Sequence, residues 1–394
     1  MTEDPGRLLL HLTTPAEWRA ALSTGAVTPP SLAEVGFVHL STPAQVHLPA
    51  ERLFPGRRDV VLLVVDPARL ADPVRLEPGV PGDPESMRFP HLYGPLPTAA
   101  VVAVVPWRPG TPLDLPAPDD AAARARALAV SLPVRRATAS RDVPGGIAVL
   151  DPDLRHSRDD NRLLVTGVPD ADAVEALTAR LAEEGGWPSR AATLLHPDAG
   201  PVADELARRG WDVSGTLVLA RSPLPALRSG AHAGTEVGTQ VEVVPQAAVH
   251  PLWDSSWRRE LAATGPALAE VVAQLVGREH RNDRVVRVVD LAVRADLGEG
   301  PEVVAALQLR VDGATAAVES VLTDPRARRR GYADALLAAA LRHAAAAGCD
   351  LVVLDAAELD WPRHWYTRRG FAVVGRTWDA VRPAQAGTTA ERTR

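Results

Sequence analysis

The sequence predicts a multidomain α/β protein with mixed sheets, and three observations carry that expectation. At about 100–200 residues per domain, a chain of 394 residues suits several cores. Short apolar runs of strand length, such as Leu351–Leu354, alternate with helical patterns such as Asp334–Ala347. Stretches rich in Pro and Gly, at 108–118 and 222–238, separate these patterned blocks.

Taken in order, residues 1–107 hold strand-like runs at Val60–Val65 and Ala99–Val105, broken by Pro and Gly. Residues 108–135 read as a linker, because 108–118 is too proline-rich for helix or inner strand. A short Ala/Arg helix is expected inside it at Asp119–Leu132. Residues 136–222 then show strand, helix, strand, helix, strand. Residues 239–382 form the last unit, and 383–394 read as a disordered tail. Within this order one similarity recurs. Arg208-Arg209-Gly210-Trp211 and Arg368-Arg369-Gly370-Phe371 each follow a helix and precede strands, which points to two related units in tandem.

The bulk numbers narrow the function. Apolar residues make up 46% and charged residues 23%, the balance of a soluble globular protein. A net charge of −6 argues against a nucleic-acid partner. No apolar run is long enough to suggest a membrane span. The opening Met1-Thr2-Glu3-Asp4-Pro5 is acidic where a secretory signal would be basic, so a cytoplasmic protein is expected. Cys349 is the only cysteine, which excludes a disulfide framework, and no His/Asp/Glu spacing suggests a metal. The chain contains no lysine, so neither a Schiff-base lysine nor a phosphate-binding P-loop lysine exists.

The most informative stretch is Ala314–Leu341. Thr315–Leu322 reads as a central strand, and Thr323-Asp324-Pro325 ends it because proline cannot donate to a ladder. Arg326–Ala333 follows, then a strong helix. Strand, basic glycine-bearing loop and helix start together make an anion site, since the first helical N–H groups are unpaired and the helix dipole favours negative charge. Downstream, Trp361-Pro362 opens a second helix that carries His364, Trp365 and Tyr366 before Arg369-Gly370-Phe371.

The segment Arg328-x-x-Gly331-x-Ala333 resembles the pyrophosphate loop of the GNAT acetyltransferases, and Val318–Pro325 is similar to that family's fourth strand. The resemblance implies acetyl-CoA, or another acyl-CoA, as co-substrate. Its thioester is expected beside Val321, Leu322 and Thr323, and its phosphates on Arg328, Arg329, Arg330, Gly331, Tyr332 and Ala333. Tyr366 stands where the family places a tyrosine that protonates the departing thiolate; packing against the cofactor is the alternative role. The expected function is N-acetyltransfer to a small-molecule or peptidic amine. Glu319 is the candidate general base if its strand register turns it to the substrate, with Asp355 and Glu358 as alternatives. His364 reads as a helix-surface residue. Trp253 and Trp257, on the last unit's first helix, either close over the acceptor or pack in the core.

Residues 136–222 look like a degenerate copy of the same unit. Val168-Pro169-Asp170-Ala171-Asp172-Ala173 has no loop glycine and sets two aspartates where phosphates would lie. The layout is similar to that of mycothiol synthase and related tandem GNAT proteins, and this copy is expected to wall the acceptor groove.

In the first unit, His11–Trp18, Gly36–Thr42 and Phe89–Pro95 resemble a family of small bacterial domains with an ADP-ribosyltransferase-like fold. The resemblance implies a cleft formed by His11, His39, Ser41 and Tyr93 that holds a nucleotide. Structural, hydrogen-bonded histidines are the other reading. Glu77 is the one tempting carboxylate there. Two alternatives to an active acyltransferase therefore stand: an acyl-CoA or nucleotide sensor without turnover, and NAD-dependent transfer chemistry in residues 1–107.

Overall fold

The computed structural model describes residues 8–79, 87–168, 170–221, 239–298 and 300–383. The expected connection at 222–238 lies outside them, as does the expected tail 383–394 apart from Pro383, which instead ends the last strand.

The first unit is mixed α/β. It runs β1 (Leu9–Thr13), α1 (Pro15–Thr24), β2 (Ala26–Val27), α2 (Pro30–Glu34), β3 (Val38–His39), α3 (His47–Leu53) and β4 (Val61–Val65). It continues with β5 (Val74–Pro78), β6 (Arg88–Leu92), β7 (Leu96–Pro97) and β8 (Val101–Pro106). Three small sheets result, in the orders β1-β4-β8, β2-β7 and β3-β6-β5. Local chemistry sets the boundaries. Thr14 and Glu17 form a reciprocal capping box on α1, and Gly25 ends that helix at φ 88°.

Next comes α4 (Ala121–Arg136), capped by Asp120. The sequence places this helix in a linker that ends it near Leu132. It runs instead through Pro133 and is part of the core. Ala125, Leu128 and Leu132 pack on Ala220, Ala317, Leu351 and Val353 of the main sheet. Its arginines are structural: Arg124 donates to Thr315 and Asp350, and Arg135 to Asp312.

The middle unit comprises β9 (Ala139–Val143), β10 (Gly146–Leu150), β11 (Arg162–Val165), α5 (Ala171–Gly185), β12 (Ser189–Leu194), α6 (Gly200–Arg208) and β13 (Asp212–Arg221). The last unit begins with β14 (Glu242–Val244), α7 (His250–Glu260), α8 (Leu268–Gly277), β15 (Arg287–Asp296) and β16 (Pro301–Asp312). It ends with β17 (Thr315–Thr323), α9 (Tyr332–Ala346), β18 (Leu351–Ala357), α10 (Pro362–Thr367) and β19 (Ala372–Pro383).

These strands make one eleven-stranded sheet in the order β14-β15-β16-β17-β18-β13-β19-β12-β11-β10-β9. Its middle is symmetrical. β17 and β18 are parallel, as are β11 and β12, and every other pair is antiparallel. The two units exchange strands: β13 inserts between β18 and β19, while β19 pairs with β12.

Alternation along the strands divides the two faces. Ala316, Val318, Val352 and Leu354 bury against Leu336, Leu337 and Ala340 of α9. Ala192, Leu194, Trp378 and Ala380 lie in the cluster with residues of α5 and α6. The other face, carrying Ala317 and Val353, lies under α4, which also packs on Val149 and Leu164 of the middle unit.

Candidate active site

β17 and β18 pair only from Thr315–Ala317 to Leu351–Val353, and beyond those rungs no pairing joins them. A bulge accompanies the parting. Between Ala306 and Gln308 of β16 the register on β17 jumps from Leu322 to Glu319, and Ser320 sits at φ 52°. A non-glycine residue at positive φ is uncommon, and a bulge leaves backbone groups out of the ladder, free for a ligand.

On the α9 side of this parting lies the basic loop. Gly331 is the N-cap of α9 at φ 78° and no side chain caps the helix, so the first-turn N–H groups have no capping acceptor. Arg329, at φ 66°, bends the backbone just before it. Arg326 is turned away from the loop, held by Asp324 at 3.0 Å and Glu302 at 3.1 Å. Arg328, Arg329 and Arg330 form no ion pair among the described residues and stand exposed. The loop thus presents backbone donors and three exposed guanidinium groups without a counter-ion among the described residues, Arg328 alone donating, through Nε at 3.4 Å, to the Thr323 carbonyl oxygen.

Tyr366, on α10, is 7% exposed and packs edge-on against Trp365 and Phe371, with centroids 4.7 and 5.9 Å away. Burial, reinforced by the charge of Glu319, pushes its phenol up to about 12. A group so placed stays protonated at neutral pH and is a proton donor rather than a base.

On the α4 side lies a cavity of about 560 Å³ between α4 and the sheet, lined in part by Glu319, Ser320, Asp355 and Asp379. Glu319 faces this cavity, which resolves the register question left open by the sequence; its nearest cation is Arg310, 3.6 Å away. Asp355 also faces it. Its side chain is open to solvent on the cavity side, and the desolvation imposed by the surrounding protein, with the charges of Glu319 and Asp379, pushes its carboxyl up to about 7. Among the described residues Asp355 has no hydrogen-bond or ion-pair partner. Glu358 is committed to an ion pair with Arg376.

The middle unit supplies part of the cavity wall: Asp159, Arg162 and Thr193. The sequence reading did not find these, nor Asp379. A signal was present: Thr193 and Asp379 are polar residues alternating with buried Ala192, Leu194, Trp378 and Ala380. At the second loop, Asp170 caps α5 and Asp172 pairs with Arg209, so both aspartates have structural partners. Trp253 is 5% exposed and belongs to the core, while Trp257 packs beside it partly buried.

In the first unit His11 and His39 are in contact, Tyr93 lies near them across the Phe37 ring, and Ser41 joins only through its backbone. His11 Nδ1 lies 2.9 Å from the His39 carbonyl oxygen, and Ser41 pairs with Leu10 through backbone hydrogen bonds. Phe37 stacks on His91 at 3.9 Å and lies 5.5 Å from the Tyr93 ring. Tyr93 donates to Glu77 at 2.7 Å, which lowers the Glu77 carboxyl, and His91 Nδ1 is 3.3 Å from the same oxygen. Glu77, His91 and Phe37 thus join the four residues named from sequence. Burial lowers His11, His39 and His91, favouring neutral imidazoles. Among the described residues no cluster fit for a metal occurs, and no helix is long and apolar enough to cross a membrane.

Residues 253–371, which contain the basic loop, the parted strands and Tyr366, match the Acetyltransferase (GNAT) family. The chain carries a GNAT acetyltransferase domain. Residues 12–104 match a second family, described as a protein of unknown function, DUF952. Solved structures similar to the chain include a GCN5-related N-acetyltransferase from Kribbella flavida, 17% identical over 66% of this chain and 95% of that one, TM-score 0.46. A protein from Caulobacter crescentus is 32% identical over 27% of this chain and 90% of its own, TM-score 0.23. A tandem GNAT protein from the clavulanic acid biosynthesis pathway is 19% identical over 54% and 70%, TM-score 0.36. No curated protein matches the chain. The GNAT domain is thus completed by strand β13 from the preceding unit and roofed on one face by α4.

Proposed function

We propose that the chain is an acyl-CoA-dependent N-acyltransferase in which donor and acceptor meet where β17 and β18 part. The observation that carries this reading is that the parted strands have unlike chemistry on their two faces. A donor-rich loop stands on the α9 side, and a carboxylate-lined cavity stands on the α4 side.

Acyl-CoA would lay its diphosphate on the backbone of Arg329–Ala333, with Arg328 and its neighbours adding attraction, and its thioester beside Val321–Thr323. The amine enters from the cavity. Glu319 takes one proton from it, directly or through water, so that the nitrogen lone pair can attack the acyl carbon. The carbon–nitrogen bond forms and the carbon–sulfur bond breaks; Tyr366 gives its proton to the thiolate and takes back, through water, the second proton that the nitrogen sheds as it becomes an amide. The GNAT-like layout of the middle unit, without the loop glycine, fits a wall rather than a second donor site. For the first domain, the ADP-ribosyltransferase-like fold and the nucleotide ligand rest on the sequence resemblance. The His39–His91–Glu77–Tyr93 cluster supports a ligand cleft there.

Thermal stabilisation by acetyl-CoA tests the assignment. A ligand selective for the native state at one hundred times its Kd adds about 2.7 kcal/mol. Stabilisation by acetyl-CoA that disappears in Gly331→Asp supports the reading; no stabilisation at millimolar acetyl-CoA, or equal stabilisation of the variant, sinks it.

A further inference from the structure

The proposed acceptor cavity has an asymmetry in its charges. Its arginines are already committed. Arg278 meets Asp159 at 2.6 Å, Arg310 meets Glu279 at 2.8 Å, and Arg136 meets Asp160 at 3.1 Å. Arg162 donates to Thr193 at 2.9 Å and Asp159 at 3.2 Å, which leaves it 3.8 Å from Asp379. The carboxylates over the strands are not matched in the same way. Asp355 has no partner among the described residues, Glu319 has one cation at 3.6 Å, and Asp379 accepts mainly from the Thr193 hydroxyl at 2.7 Å. All three line the cavity. Negative charge left unmatched in a partly desolvated cavity favours a cationic occupant.

Their placement gives that occupant a length. Glu319, Asp355 and Asp379 stand on β17, β18 and β19, and one strand, β13, separates the last two. At about 4.8 Å per strand, β18 and β19 lie roughly 10 Å apart, and the register adds to this: Asp355 faces Val218 of β13, while Asp379 faces Ser214, four residues along. One ammonium cannot serve both Asp355 and Asp379 at hydrogen-bond distance.

Resting on the acyltransferase reading, we infer that the acceptor carries two amino groups. One reacts beside Glu319 and Asp355, and the other is held as an ammonium by Asp379, the carboxylate that Thr193 of the middle unit keeps in place. The acceptor class is a short aliphatic diamine or polyamine, not an amino acid, whose carboxylate would meet Asp379 with like charge.

The test compares CoA release from acetyl-CoA with putrescine, cadaverine, butylamine and β-alanine as acceptors, in the parent protein and in Asp379→Asn. The diamines should exceed butylamine at least tenfold in kcat/KM, mainly through KM. Asp379→Asn, which keeps an oxygen for Thr193, should remove that advantage, bringing the diamines to within about twofold of butylamine measured in the same variant, with the loss mainly in KM. Equal use of mono- and diamines, preference for β-alanine, or equal losses for all acceptors in the variant would overturn the inference. Should no acceptor turn over, calorimetric binding of cadaverine to the CoA-loaded parent decides; failure to bind overturns the inference too. Acetyl-CoA binding, measured separately, reports on the underlying acyltransferase reading, so the two can fail independently.

Discussion

The indole Nε1 of Trp18 donates a 2.7 Å hydrogen bond to Oδ1 of Asp312, joining the first domain to the end of β16. The same carboxylate receives Arg135 from α4, at 3.2 and 2.5 Å. All three residues are buried. Three parts of the chain therefore converge on one charge. Asp312→Ala should leave a buried guanidinium and a buried indole N–H unmatched, a loss of about 3–5 kcal/mol. Urea unfolding measures it, and a loss below about 1 kcal/mol would contradict the account.

Graded substitution at Gly331 should separate backbone strain from anion repulsion. Gly331→Ala meets an unfavourable φ of 78° and should cost stability by about 1 kcal/mol while weakening acetyl-CoA binding modestly. Gly331→Asp adds like charge at the helix start and should abolish binding. Isothermal titration with acetyl-CoA distinguishes the two. Equal affinities in both variants would mean that the phosphates lie elsewhere.

Tyr366→Phe should lower kcat by about a hundredfold or more and leave acetyl-CoA affinity within about twofold. With its phenol pushed up to about 12, Tyr366 remains protonated throughout the neutral range. Any alkaline fall in the parent's rate below about pH 10 should therefore persist in the variant's residual activity. A pH series of kcat for both proteins checks this.

Asp355 should make stability depend on pH in an unusual direction. Its folded value of about 7 lies above the ordinary carboxylate value of about 4, so folding favours the protonated form. That contribution is fully present below about pH 4 and is lost as pH rises through about 7. The full shift would correspond to about 4 kcal/mol, and screening by water in the cavity reduces this to about 1–2. Asp355→Asn should therefore match the parent at low pH and exceed it near pH 8. Melting temperatures across that range provide the measurement, and a constant offset would exclude the ionisation as cause.

Much of the site was legible because its chemistry is local. The run from Thr315 through Gly331 into α9 combines a strand end, a turn and a helix start within about one supersecondary unit, and each has its own residue signature. Tyr366 and Gly370-Phe371 are likewise local. What escaped was set at long range. That β13 would insert between β18 and β19 depends on pairing strands far apart in sequence, for which no local pattern exists. The role of α4 was hidden differently. Arg124 and Arg135 look like surface arginines in the sequence, yet they are buried because Asp350 and Asp312, remote in sequence, neutralise them. Asp355 was readable as a candidate but not its lack of a counter-ion, which only the assembled cavity reveals.

The reciprocal placement of β13 and β19 makes the two halves mutual tenants of a single fold. A polypeptide beginning after residue 238 would present β18 with a raw edge of unpaired N–H and C=O groups, and one ending at Arg221 would do the same to β12. Neither would be expected to stay monomeric. A proteolytic nick within 222–238, by contrast, should leave a complex that still co-elutes, held together by the strands each half has lent the other.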